Sequence, residues 1–333
     1  MSAAETTPPA ALGRGAAAPR ALWHVILVRP EAMTLALLIL GVIIASQLSP
    51  FFLDINYILR SFTLSAEFAI VALVLTLVII AGEIDLSPAA NMALSTCLFA
   101  WAQASGIPMP IAIAIGLLAG LAMGALNAFM VIALQLPSII VTIGTLTLYR
   151  GLAQIIAGDK SIRMPDWFIG IDKVLILGIP ATVVIFTAFA LVLGLILAGT
   201  IFGRQIYQIG TNEVAARYAG IRTRRIKLVL FLLMGLVAAV AGMLTASRLG
   251  SVRYDLGLGG ELQMVLMAML GGTYIFGGRG TILGTFLAAW LLVVVSTGMT
   301  VANLLPAIQL TVLGVLLIVA IIATNLIYSR TQR

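Results

Sequence analysis

Few side chains in this chain could carry out chemistry. There is one histidine, His24, one cysteine, Cys97, and 12 acidic residues among 333. His24 lies in an Ala- and Pro-rich leader with no triad partners, and no HExxH, paired-cysteine or His-rich pattern offers a metal site. Gly158-Asp159-Lys160-Ser161 has the composition of a phosphate loop, but Asp159 interrupts the Gly-Lys-Ser order and an apolar run precedes it. Neither a cofactor nor ATP hydrolysis by this chain is expected. What remains is the chemistry of polar groups in apolar surroundings, where each must find a partner or water. Glu67, Asn91, Asn127, Thr142 and Thr145 are such groups, candidates for a solute pathway or for bonds between helices. Glu67 is the sharpest case, because a carboxylate inside an apolar run cannot stay charged alone. Cys97 reads as a packing residue.

The elements that hold these residues follow from composition. The chain is 62% hydrophobic and 9% charged, with a mean hydropathy of +1.16, which is too apolar for a water-soluble globule. Residues 86–149, 174–203, 228–247 and 281–329 contain no Asp, Glu, Lys or Arg. Such runs are apolar on both faces, unlike barrel strands, and a bilayer span takes about 20 residues. The expected fold class is therefore an all-α polytopic membrane protein of about ten transmembrane helices. Prolines, glycines and polar breaks place spans near residues 32–49, 63–81, 88–106, 109–134 and 138–157. Span six falls within 174–203, and the rest lie near 228–247, 262–275, 281–299 and 306–328. Span eight is too short to cross simply and is expected to be tilted, re-entrant or broken. Between spans two and three, Asp85 or Ser87 is placed to cap the next helix, with Pro88 in its first turn.

Charge then orients the bundle. Residues 203–227 carry Arg204, Arg217, Arg222, Arg224, Arg225 and Lys227 against one acid, Glu213. Counting spans puts this segment on the same side as Arg14, Arg20 and Arg29 and as Arg330 and Arg333, so both termini are expected in the cytoplasm. The net charge of +7 sits beside spans, which points to lipid headgroups and not to nucleic acid. Residues 1–30 read as a disordered cytoplasmic tail and residues 31–329 as the transmembrane domain. The charge-balanced loop 158–173 suits the outer side, whereas Glu83 and Asp85 fall on the inner side against the trend. Within the basic segment, Thr211 or Asn212 caps a two-turn helix, Glu213 and Arg217 pair four apart, and Gly220 supplies a left-handed stop. Val214 and Tyr218 share its outer face, while Arg222 to Lys227 read as headgroup anchors of span seven. Gly277-Gly278-Arg279-Gly280 allows a tight turn, and Gly271, Gly272 and Gly284 allow close helix contact.

A resemblance runs through these motifs. Glu213-Val214-Ala215-Ala216 followed by Gly220-Ile221 resembles the short cytoplasmic loop of ABC importer permeases that docks on the ATPase. GEIDLS at 82–87, GALN at 124–127, PSIIVTIGTLTLYRG at 137–151, ASRLGS at 246–251 and GGTYIFGGRGTILGT at 271–285 resemble the ribose-type branch, in family order. The resemblance implies an importer-permease bundle in the bacterial inner membrane that moves a monosaccharide of the ribose, rhamnose or autoinducer-2 class. It implies a second permease subunit, identical or related, a separate ABC ATPase subunit and a periplasmic sugar-binding protein. Glu213, Ala215, Ala216, Arg217 and Gly220 would couple to the ATPase, and Glu83, Asp85, Gly278 and Gly280 would serve gating or turns. Two departures stand out: Glu83 occupies a position where the family usually has a small residue, and Pro88-Ala89 replaces a common Val-Gly pair. The reading that competes from another class is a secondary transporter driven by an ion gradient, for which Glu67 is the available carboxylate.

Overall fold

Backbone at membrane depth must satisfy its own hydrogen bonds, so each apolar run becomes a helix and stops where the sequence supplies proline, glycine or polar residues. The computed structural model describes residues 30–48 and 50–331. The expected tail with His24 and its arginines lies outside the described residues, as does Arg333. Helix α1 (Pro30–Leu48) leads through a short turn to α2 (Ile55–Thr63) and α3 (Ala66–Ile80), followed by α4 (Pro88–Ala104), α5 (Met109–Ile132) and α6 (Ser138–Ala157). Strands β1 (Ile162–Arg163), β2 (Leu175–Ile176) and β3 (Ile179–Pro180) precede α7 (Ala181–Gly199), α8 (Ile201–Thr211), α9 (Glu213–Tyr218) and α10 (Thr223–Leu249). Strand β4 (Ser251–Val252), α11 (Gly260–Leu270), α12 (Ile282–Val301) and α13 (Pro306–Thr331) complete the chain.

Among the described residues, α5, α6, α7, α10 and α12 are long and apolar enough to cross a membrane, and α2 with α3 makes a sixth candidate bent by 68°. The all-α polytopic class holds, and the expected count of ten is approximate. Span two is not one helix from residue 63. It breaks after Thr63, and α3 is buried on every side, from Ala69 to Ile80 without interruption. A helix that is apolar all round belongs in a core and shows no periodic face that would mark its start. Span six begins only at Ala181, because β2 and β3 close a hairpin through the left-handed residues Leu177 and Gly178. Thr200 then caps α8, its Oγ1 accepting from Gly203 N at 3.2 Å, so part of the expected basic connector is a separate helix. Span seven starts at Thr223, five residues before the expected 228, and carries Arg224, Arg225 and Lys227 in its first turns. With 11 residues, α11 rises about 16 Å and cannot cross alone, as its sequence predicts.

Two ends can be distinguished. The C-terminus of α3, helices α8 and α9 and the N-terminus of α10 form a basic end. At the far end β1 pairs antiparallel with β4, Ile162 opposite Val252, which ties the loop after α6 to the end of α10. The charge-balanced loop therefore lies opposite the basic segment. Between the ends, α5 and α10 meet backbone to backbone: a Cβ on Gly235 would lie 2.2 Å from Gly120 O, and one on Gly124 would lie 2.4 Å from Phe231 O. Such approach is how membrane helices gain van der Waals contact where lipid supplies no hydrophobic drive. Residues 83–87 are neither helix nor sheet. Asn127 Nδ2 donates to Ser87 Oγ at 2.8 Å, five residues or about 8 Å from the basic end of α5. GEIDLS is thus a re-entrant segment inside the bundle and not a surface turn.

Candidate docking and coupling site

Helix α9 forms as its residues dictate. Asn212 Oδ1 accepts from Ala215 N at 2.9 Å, which settles the cap in favour of Asn212, since Thr211 Oγ1 instead donates to Tyr207 O at 2.8 Å. At the other end Gly220 adopts φ +83°, and Ile221 N donates to Ala216 O at 3.0 Å, closing the helix through the left-handed stop. Glu213 and Arg217 pair at 2.7 Å. Ala216 faces inward, while Val214 and Tyr218 are 63% and 90% exposed. An exposed valine and tyrosine on a rigid six-residue helix, framed by charge, make a surface suited to a protein groove.

The base of α9 is locked to the bundle. A Cβ on Gly210 would lie 1.7 Å from Ile80 O, and one on Gly277 would lie 2.8 Å from Gly82 Cα. Gly278 N donates to Ile80 O at 2.8 Å, and Tyr207 donates its hydroxyl to Gly280 O at 2.7 Å. The glycine loop before α12 therefore clamps α8 against the end of α3, a structural role for Gly278 and Gly280.

Beside this joint lies an ion network that the sequence alone does not show. Lys227 Nζ contacts Glu83 Oε1 at 2.5 Å and Glu213 Oε2 at 2.6 Å. The Lys227 and Glu83 side chains are only 11% and 12% exposed. Lys227 is thus not a headgroup anchor, because its largely buried side chain places the ammonium between two carboxylates and not at a lipid surface. Glu83, which conflicts with the charge rule as an inner acid, is neutralised by the same lysine. Burial alone would raise the Glu213 carboxyl, but hydrogen bonds from Lys227 and Arg217 and their charges hold it below its ordinary range. A polar cavity of about 330 Å³ opens here, lined in part by Glu83, Gln135, Ser138, Glu213, Arg217 and Arg224.

Of the predicted polar residues, Asn127 and Thr142 bond directly to the re-entrant segment. Ser87 occupies the N-cap position of α4, but its hydroxyl makes no cap bond: Asp85 Oδ1 accepts from Ser87 N at 2.9 Å and from Ser87 Oγ at 2.7 Å, forming a local turn. Ser138 Oγ accepts from Ile84 N at 3.0 Å, and Thr142 donates to Ile84 O at 3.2 Å. Tyr149 donates to Met123 O at 2.9 Å with Asn127 Oδ1 3.2 Å away, and Thr145 donates to Thr142 O at 3.4 Å. Asn91 sits deeper, its Nδ2 donating to Gly120 O at 3.3 Å. Glu67 is not part of this group. It lies at the far end, where Arg248 Nε reaches Glu67 Oε1 at 2.8 Å, joining α3 to α10. Cys97 is buried and free, as a packing residue should be. Sequence reasoning missed Ser87, Ser138, Tyr149 and Arg248 as partners. The available signal was that Glu67 and Arg248 are lone opposite charges at the same end of two apolar runs.

Apolar helices packed around a buried polar cluster, with a charged helix presented at one surface, define a polytopic membrane permease. The family described as branched-chain amino acid transport system / permease component matches residues 57–321, and the chain belongs to it. An autoinducer 2 import system permease protein LsrD from Enterobacter sp. (strain 638) is 33% identical over 303 residues, covering 89% of this chain and 93% of the relative. The LsrD of Klebsiella pneumoniae is 34% identical over 303 residues, with 89% and 91% covered. That of Escherichia coli (strain K12) is 32% identical over 309 residues, with 91% and 94% covered. No solved structure matches. The chain is accordingly a multi-pass permease subunit of the ABC importer class, and its relatives are named as transport permeases, not enzymes.

Proposed function

We propose that this chain forms the gated pathway of an ATP-driven bacterial importer for a monosaccharide or a monosaccharide-like signal such as autoinducer 2. The observation that carries the reading is α9: a capped helix, locked at its base by the Gly210 joint, with Val214 and Tyr218 presented outward. A separate ABC ATPase subunit docks on Glu213, Ala215, Ala216, Arg217 and Gly220 at the basic end, which faces the cytoplasm together with both termini. A periplasmic sugar-binding protein delivers substrate at the far end, and a second permease copy or close relative completes the pathway. Residues 31–329 act as the transmembrane unit, with residues 203–227 as its coupling segment and residues 1–30 as a cytoplasmic tail. The names of the relatives support the solute class. So does the cluster of Asn127, Thr142, Thr145, Ser87 and Tyr149, whose hydroxyl and amide groups suit a neutral polyol. Glu67 is held by Arg248, which favours a structural role over ion coupling.

The test is purification of the full chain from its native membrane, followed by reconstitution. An ATPase chain copurifies, and uptake of autoinducer 2 into proteoliposomes requires ATP and persists when proton and sodium gradients are collapsed. Uptake that follows a gradient without ATP overturns the reading.

A further inference from the structure

The docking helix has two attachments to the bundle. One is the main-chain joint at Gly210; the other is Lys227, whose ammonium is clamped between Glu213 on α9 and Glu83 on the re-entrant segment. These attachments differ in what they can move. The joint fixes α8 against the end of α3, a helix buried in the core. The lysine ends on residues 83–87, where Glu83 N donates to Val78 O at the end of α3 and side chains hold the residues that follow: Ile84 N by Ser138, Ile84 O by Thr142, and Ser87 N by Asp85. Side-chain bonds of this kind exchange partners without breaking a helix ladder, so this segment yields before its neighbours do. It also carries the polar relay Asp85–Ser87–Asn127 into the bundle.

We propose that Lys227 and Glu83 are positioning residues that transmit displacement of α9 to the re-entrant segment 83–87, and through it to the polar lining around Asn127. The inference rests on the reading of α9 as the ATPase-docking helix. Nucleotide reaches the pathway only if the two conformations differ in this contact. In one state Lys227 bridges both carboxylates, as seen here. In the other Glu213 moves with the ATPase while Arg217 keeps it paired, and Lys227 draws Glu83 with it or releases it.

The test uses the full chain with its copurifying ATPase in nanodiscs. Leu86→Cys, in a Cys97→Ala background, reports on the segment through its rate of maleimide labelling with and without ATP plus vanadate. The expected result is a nucleotide-dependent change in rate of about fivefold or more, reduced to within about twofold by Glu83→Gln and retained in Lys227→Arg, with the ATPase bound at parent stoichiometry throughout. The double variant Glu83→Gln with Lys227→Gln leaves no lone buried charge and loses the response likewise. A full nucleotide response in Glu83→Gln or in the double variant overturns the inference while leaving docking intact. Failure of any ATPase to bind the unaltered chain overturns the docking reading itself, and this inference with it.

Discussion

At the scale of single residues, Glu67 and Lys227 are largely buried charged groups held in ion pairs, and the pairing sets what each can do. Glu67, 1% exposed, depends on Arg248. Arg248→Met should therefore lower stability by about 3 kcal/mol, since removing one partner of a buried ion pair is strongly destabilising, and adding Glu67→Gln should recover most of it. Thermal unfolding in detergent checks this, and an unchanged Arg248→Met midpoint would contradict the pairing. Glu213 behaves differently. Its carboxyl is held low, so its contribution is present above the ordinary value of 4.5 and is lost only as pH falls below that. Which acid meets which base was not legible in the sequence: Glu67 and Arg248 are 181 positions apart, and pattern gives no partner at that distance. The self-contained α9 was legible in nearly every detail, because Asn212, Glu213, Arg217 and Gly220 act on neighbours within one or two turns.

At the scale of elements, the same distinction governs which helices could be read. Long runs such as α5 and α7 announce themselves by composition, whereas the break between α2 and α3, at Leu64-Ser65, carries no proline or glycine to mark it. The re-entrant path of residues 83–87 was equally hidden, because it is fixed by Ser138, Thr142 and Asn127 from other helices. The α5–α10 seam was written in the sequence, as Gly116, Gly120 and Gly124 recur every four residues, a spacing that marks a close helix face. Gly235→Ala places a carbon 2.2 Å from Gly120 O and should lower stability by about 2 kcal/mol or more. Gly151→Ala on α6 meets nothing within 4 Å and should be neutral or stabilising by up to about 1 kcal/mol. Equal unfolding midpoints for the two variants would argue against the seam.

For the whole molecule, the proposed orientation rests on the grouping of charge at one end and the paired strands at the other. With the basic end in the cytoplasm, Tyr218→Cys should react with a membrane-impermeant maleimide in inverted vesicles and not in intact cells, and Trp167→Cys should show the opposite pattern. Both positions are well exposed, and Cys97 is buried enough to stay silent. Reaction of both from one side would overturn the topology.

Where Gly82, Gly210 and Gly277 meet, main chain rests on main chain with nothing between. Such a joint has no rotamers to seize and no neighbouring bulk that could be trimmed to admit a change. A side chain at Gly210 or Gly277 would collide with main chain, and one at the adjoining Gly278 would lie 2.7 Å from Thr211. For anyone re-engineering this chain, this crossing point offers no dial to turn.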